Sequence, residues 1–113
     1  MDLYEEITQL MQELTTAIRT LRKNGEKLAE AERDYKITLR QEVLKLKADN
    51  TPATLINLII YGVPEVAEKR LKRDIAQVNY DVNKEYINFC KLRARILENQ
   101  LSREWSNAGK GDI

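Results

Sequence analysis

Apolar residues recur at seven-residue intervals through the first third of the chain, and this repeat restricts what the chain can fold into. One series comprises Ile7, Leu14, Leu21, Leu28 and Tyr35, and the alternate positions hold Leu3, Leu10, Ala17 and Ala31. Steps of three and four residues place these side chains along one side of an α-helix, as in coiled coils. The repeat therefore predicts a long amphipathic helix that packs against another helix.

The predicted first helix covers residues 2–48, with Asp2 as its N-terminal cap. The pair Asn24-Gly25 is a common signal for the end of a helix. Leu21 and Leu28 nevertheless stay seven residues apart across this pair, so the apolar stripe keeps its phase. We expect the helix to continue through it; the alternative is a break at which the chain folds back as a third helix.

The most apolar run of the chain, residues 49–65, holds both prolines and predicts a corner between two helices. Thr51 followed by proline is typical of a helix start, with Thr51 as the cap, so we expect a short helix over 52–60. Gly62 is expected to close this helix in the left-handed conformation. Apolar side chains at Leu55, Leu58, Ile59 and Ile60 surround most of the short helix, which predicts that it is covered.

A second long helix is predicted over residues 64–106, followed by a flexible tail at 107–113. Pro64 suits the first position of a helix, and neither glycine nor proline appears again until Gly109. Two helices of similar length joined by a compact corner favour an antiparallel hairpin. The sequence thus predicts an all-α fold in a single domain over residues 1–106, a coiled-coil-like hairpin that forms a helical bundle by self-association.

The composition argues against catalysis and against bound metals. The chain has no histidine and one cysteine, Cys90, so Ser-His and Cys-His arrangements and most transition-metal sites are excluded. Cys90 belongs to an apolar line, which predicts a small buried side chain rather than a nucleophile. We expect no enzyme activity, no catalytic residue, no metal and no cofactor.

The expected location is the cytoplasm. A single cysteine allows no internal disulfide, and the acidic N-terminus lacks the positive charge of a signal peptide. The apolar run at residues 53–63 is too short to cross a bilayer. We therefore expect no membrane association.

The second long helix carries more apolar surface than one partner helix can cover. One line comprises Leu71, Ile75, Val78, Val82, Phe89, Leu92 and Ile96, and a second comprises Tyr86, Cys90, Leu97, Leu101 and Trp105. The candidate interface residues are Phe89, Leu92, Ile96, Leu97, Leu101 and Trp105. Self-association as a homodimer would cover them. The alternative is the monomer folded back at Asn24-Gly25.

A basic cluster follows the corner, at Lys69, Arg70, Lys72 and Arg73. Four cations within about one and a half helical turns could contact phosphate or an acidic protein. The alternative is a solvated helix face with ion pairs four residues apart, such as Glu65 with Lys69 and Glu68 with Lys72. The net charge of +1 gives little support to a nucleic-acid partner.

Three stretches carry a resemblance to a known group of proteins: EAERDYKITLRQEVLKLK, TPATLI and VAEKRLKRDIAQVNYD. They resemble small helical proteins of phages and prophages, whose shared pattern matches residues 30–35, 52–55 and 66–74 here. The likeness covers residues 28–105. It implies a viral origin, often among early or recombination-associated genes, and it supplies no site residues. For a viral protein the expected location is the host cytoplasm.

Taken with the composition, this predicts a non-enzymatic phage-type accessory protein that binds an unidentified protein partner through helical surfaces, including modulation of the host. The alternative is a nucleic-acid-associated accessory factor in phage replication or recombination. Salt separates the two, because binding to phosphate weakens steeply as salt rises and an apolar protein interface responds little.

Overall fold

The computed structural model describes the backbone of residues 2–111 and the side chains of residues 2–108. Helix α1 spans Leu3–Ala48, helix α2 spans Ala53–Ile59 and continues as a 3₁₀ turn over Ile60–Gly62, and helix α3 spans Pro64–Gly111. Residues 2–111 contain no strand. The predicted all-α fold, two long helices with a short helix at the corner, is confirmed.

Helix α1 runs without interruption through Asn24-Gly25. The side chain of Tyr80 lies beside Gly25, where an added Cβ would be 3.5 Å from the Tyr80 ring. The continuous packing stripe outweighs the local stop signal, so the fold-back at this pair is not formed. The predicted N-terminal cap is also present, because the backbone N–H of Glu5 donates to Asp2 Oδ1 at 2.8 Å.

The left-handed residue of the corner is Asn50, with φ of 60°, and the expectation that Gly62 has this role is wrong. The N–H of Asn50 donates to the carbonyl of Lys47 and that of Thr51 to the carbonyl of Leu46, both at 3.0 Å. These two bonds close the end of α1 as a Schellman motif. Asparagine tolerates the left-handed conformation better than most residues, which suits it to this position.

The start of α2 also differs from the expectation, because its cap is Pro52 and not Thr51. The carbonyl of Pro52 accepts the N–H groups of Leu55 and Ile56 at 3.0 Å, and no side chain caps this end. Proline fixes φ near the value required here, so the backbone can begin the helix without a hydroxyl cap. At the other end of α2 the chain tightens into the 3₁₀ turn instead of using a left-handed glycine.

Helix α3 begins at Pro64 as predicted and extends to Gly111, five residues beyond the predicted end at 106. Val63 before it is extended, with φ −62° and ψ 125°, as expected for a residue that precedes proline. Residues 112–113 of the predicted tail lie outside the described residues. No helix in the described part of the chain combines the length and apolar character needed to cross a membrane.

The chain divides into two compact units. The corner unit comprises residues 23–81, and the terminal unit comprises residues 1–22 with 82–113. The core of the corner unit consists of Tyr35, Ile56, Ile60 and Val66, against which Leu39, Val43, Leu46 and Val63 pack. Its side chains come from α1, α2, the 3₁₀ turn and α3. The short helix therefore supplies a third wall to this core.

The core of the terminal unit consists of Leu10, Cys90 and Leu97, against which Leu3, Ile7, Leu14 and Ala94 pack. It is built from α1 and α3 alone. The buried amide of Asn83 donates to the carbonyl of Ala17 at 3.0 Å. Contacts of residue 17 with 83 and of residue 10 with 90 and 97 show that the two helices are antiparallel here.

Candidate interaction surfaces

Helix α3 buries one face, which we call the inner series. Within α3, every described side chain that is buried or half-buried belongs to a single run of three- and four-residue steps. The run is Val66, Lys69, Arg73, Ala76, Tyr80, Asn83, Ile87, Cys90, Ala94 and Leu97. Half of these residues are charged, polar or alanine, so the covered face of α3 is only moderately apolar.

The opposite face of α3 carries a second run with the same spacing, which we call the outer series. It comprises Leu71, Ile75, Val78, Val82, Phe89, Leu92 and Ile96, with Glu85 in the one remaining place. Each position lies two residues after a member of the inner series, or roughly 200° around the helix. The seven apolar side chains are between 48% and 62% exposed. The more apolar face of α3 is therefore the uncovered one.

The predicted interface residues fall on different faces. Phe89, Leu92 and Ile96 lie in the outer series and are about half exposed. Leu97 lies in the inner series, is 6% exposed and belongs to the intrachain core. Leu101 and Trp105 are exposed near the end of the helix, outside the outer series. Ile96 and Leu97 are neighbours in sequence, yet they point to different sides of α3.

The outer series continues beyond the predicted interface. Leu71, Ile75 and Val78 lie in the corner unit and Val82 in the terminal unit, and all four are more than half exposed. Their seven-residue spacing was visible in the sequence. The sequence does not say which of the two apolar lines on α3 faces α1.

Arg73 of the basic cluster is held within the corner unit. Its guanidinium carbon lies 4.5 Å from the centre of the Tyr35 ring, and Nη2 is 2.8 Å from Asp74 Oδ1. Nε lies 3.8 Å from Glu32 Oε2 on α1. The hydrogen bond to Asp74, followed by the charges of Asp74 and Glu32, raises the pKa of Arg73. This cation is therefore occupied by partners from its own chain.

Of the other three cations of the cluster, Lys69 lies in the inner series with Arg73, whereas Arg70 and Lys72 are exposed outside it. The guanidinium of Arg70 lies 5.0 Å from the centre of the Tyr61 ring. Lys72 Nζ lies 3.9 Å from Glu68 Oε1, so this predicted ion pair is confirmed. Half-buried Lys69 lines a cleft with Lys27, Glu30, Ala31, Asp34 and Lys72. Each of the four cations thus lies near a carboxylate or an aromatic ring.

The short helix is covered on one side only, although the sequence predicted cover for all of its apolar side chains. Ile56 and Ile60 are buried in the corner unit. Leu55, Leu58, Ile59 and Tyr61 are exposed, and Leu58 is 81% exposed. We call these four residues the corner cluster. A helix of two turns can direct only about half of its circumference into one core, so the remaining side chains stay outside.

Cys90 is buried as predicted, at 1% exposure, against Leu10 and Leu97. Tyr86 lies one turn before it, and its hydroxyl donates to Glu13 Oε2 at 3.4 Å. The pKa of Tyr86 is raised, first by a hydrogen bond with Cys90 and by the charge of the Cys90 side chain. Burial and the Glu13 carboxylate raise this pKa further. Within residues 2–111, no group of three or more cysteine, aspartate or glutamate side chains is arranged to hold a metal ion.

Comparisons with known proteins give no relative for this chain. No family model, curated protein or solved structure matches it. The resemblance to helical phage proteins stays an expectation that rests on the three stretches quoted above.

Proposed function

We propose that this chain is a non-enzymatic accessory protein of the phage type, which works by binding proteins through the exposed apolar faces of its helices. The observation that carries the proposal is the outer series of α3, which is half exposed and more apolar than the covered face. Covering the exposed halves of seven such side chains is worth on the order of 10 kcal/mol before the costs of association. A gain of this size supports a specific helix-to-helix contact.

The outer series suits a protein helix better than a nucleic acid. Aliphatic residues and one phenylalanine at three- and four-residue spacing are what a second helix packs against. They offer no charge for phosphate, and the only ionisable residue within the series is the acid Glu85. The basic cluster is split between faces, and Arg73 is already paired with Asp74 and Glu32. These features support binding to protein, with modulation of the host as one outcome.

The proposal is tested by affinity capture from a bacterial lysate treated with nuclease, washed at about 0.1 M and about 1 M salt. The expected result is a captured protein that survives the high-salt wash, because apolar contacts are not screened. Phe89→Glu places a charge in the outer series, and Leu58→Glu places a charge in the corner cluster. At least one of these two variants should fail to capture the protein.

The matched control is Arg70→Glu with Lys72→Glu, which reverses two exposed cations and leaves the apolar faces intact. Capture should survive this change. If a protein is instead captured only from a parallel lysate without nuclease, or if capture is lost at high salt or with the control variant, the nucleic-acid-associated function replaces the proposed one.

A further inference from the structure

The outer series of α3 needs a cover, and we infer that a second copy of this chain supplies it, with α3 packed antiparallel against α3. This inference rests on the proposed function and names the occupant of its surface. A helix that packs into a seven-residue repeat must present the same repeat. The outer series itself is such a surface.

The area is sufficient for a stable pair. Seven side chains that are each about half exposed, 48% to 62%, line the face. They contribute roughly 600 Å² from each copy, and the pair would bury roughly 1,200 Å², which reaches the range of specific interfaces. Outer-series residues lie opposite the inner series, so α1 does not cover this side of α3.

Glu85 sets the direction of the pair. In a parallel pair in register, each position meets its own counterpart, so two Glu85 carboxylates would lie side by side within the apolar face. Positions of the outer series alternate between two sets, and Glu85 belongs to one of them. The other set holds Ile75, Val82, Phe89 and Ile96. In an antiparallel pair, Glu85 meets a member of this other set on the second copy. The antiparallel arrangement therefore moves the two carboxylates out of a shared layer into adjacent layers, about 4.5 Å apart along the helix axis, which lowers their repulsion.

In one antiparallel alignment the outer series of the two copies overlap along their whole length. Each residue then meets the residue of the second copy whose number brings the sum of the two to 167. Leu71 meets Ile96 of the second copy, Ile75 meets Leu92, Val78 meets Phe89, and Val82 meets Glu85. Apolar residues thus face one another in three of the four distinct layers. Every apolar member of the series is used.

The charges on one of the two flanks of the series favour this alignment. This flank carries Asp74 near one end of the outer series and Arg95 near the other end. The antiparallel arrangement brings Asp74 of each copy beside Arg95 of the other copy. The other flank brings Lys72 near Arg93 of the second copy. Each of these cations has carboxylates in its own chain, because Lys72 pairs with Glu68 and Arg93 lines a cleft with Glu6 and Glu13.

The first test is the mass of the purified chain by sedimentation equilibrium over roughly 1 to 100 µM, a range that resolves micromolar association. We expect twice the chain mass at the upper end. Leu92→Glu should weaken the pair by about 100-fold or more, since it buries a charge at each interface site. Glu85→Leu should tighten it by about tenfold, since it completes the apolar face.

The matched control is Leu58→Glu, the same change at the exposed corner cluster, which should leave the association constant within about twofold. Circular dichroism of each variant shows that the helices are retained. A monomeric wild-type chain, or equal weakening by the variants at positions 92 and 58, overturns the inference.

The second test is the direction of the pair. A mixture of Glu68→Cys and Asn99→Cys chains should form a mixed disulfide under mild oxidation, because these positions continue the repeat and meet in the full overlap. Each variant alone should not cross-link with itself. A disulfide between two chains that both carry Asn99→Cys indicates a parallel pair and overturns the inference, as does the absence of the mixed disulfide.

These results separate the inference from the proposed function. A monomer that still captures a protein in a Phe89-dependent manner rejects the second copy and leaves the proposed function standing. A dimer with the expected cross-link that captures no protein supports the second copy and rejects binding to a different protein partner.

Discussion

The corner unit and the terminal unit differ in which elements cover the contact between α1 and α3. In the corner unit, Ile56 and Ile60 of the short helix and the 3₁₀ turn close a core that α1 and α3 leave open. In the described part of the terminal unit, the core is built from α1 and α3, and a thiol and a buried amide occupy positions along their contact. A two-helix core has no third wall, so we expect the proposed partner to contribute more to the stability of the terminal unit than to that of the corner unit.

The largest expected effect tests the third wall of the corner unit. Ile60→Ala removes a side chain that is 3% exposed, and the cavity should lower the free energy of unfolding by about 3 kcal/mol. Leu58→Ala removes a side chain of similar size that is 81% exposed, and it should change stability by less than about 0.5 kcal/mol. Urea unfolding at one protein concentration measures both. Equal effects would show that the short helix is not a wall of the core.

The next effect tests the polar contact in the terminal unit. Asn83→Ala leaves the carbonyl of Ala17 without the amide that donates to it at 3.0 Å. The free energy of unfolding should fall by about 1 kcal/mol, because a buried hydrogen bond is lost while the Ala17 carbonyl keeps its bond within α1. Asn88→Ala, an exposed asparagine on the same helix, serves as the control and should be neutral. A neutral Asn83→Ala would mean that water replaces the amide without loss.

A smaller effect, of opposite sign, is expected at the glycine within α1. The added methyl group of Gly25→Ala would contact the Tyr80 ring at 3.5 Å, an ordinary packing distance, and the backbone there has no positive φ. Alanine also favours the helix over the unfolded chain, so stability should rise by about 0.5–1 kcal/mol. Thermal unfolding measures the gain. A loss of stability would instead show that Tyr80 cannot accommodate the methyl group.

The smallest effect concerns pH. Hydrogen bonds and charge from Cys90 and Glu13 raise the pKa of Tyr86, so folding favours its neutral phenol. This stabilisation is complete below the pKa of the unfolded chain, about 10, and is lost as pH rises through the higher folded value. Tyr86→Phe should therefore flatten part of the alkaline decline in the urea midpoint. An identical decline in both proteins would show that Tyr86 is not its source.

The sequence predicted the helices well because their signals are local. The heptad series of α1, the Asp2 cap and the proline at the start of α3 each act within one or two turns. The identity of the covered face of α3 depends on contacts between residues far apart in sequence, such as Ala17 with Asn83. Those contacts selected the inner series, which includes only Cys90 and Leu97 of the second apolar line, so Leu97 proved to be core while Ile96 remained exposed.

The corner was predicted only in part for a related reason. Both Asn50 and Gly62 can adopt the left-handed conformation, and local preference favours the glycine. The structure uses Asn50, because the end of α1 is where two carbonyls need donors. The exposed corner cluster was unforeseen because apolar content alone does not say how many sides of a short helix a small core can accept.

The two units also differ in how the chain supplies them, and this difference bears on the order of folding. The corner unit is one unbroken stretch, residues 23–81, whereas the terminal unit joins the two ends of the chain. Its hydrogen bond between residues 83 and 17 closes a loop of 66 residues. Loop closure costs more entropy as the loop lengthens, and contacts of long sequence separation form slowly. Once the corner has formed, the remaining separation is short, so we expect the helices to zip from the corner towards the ends.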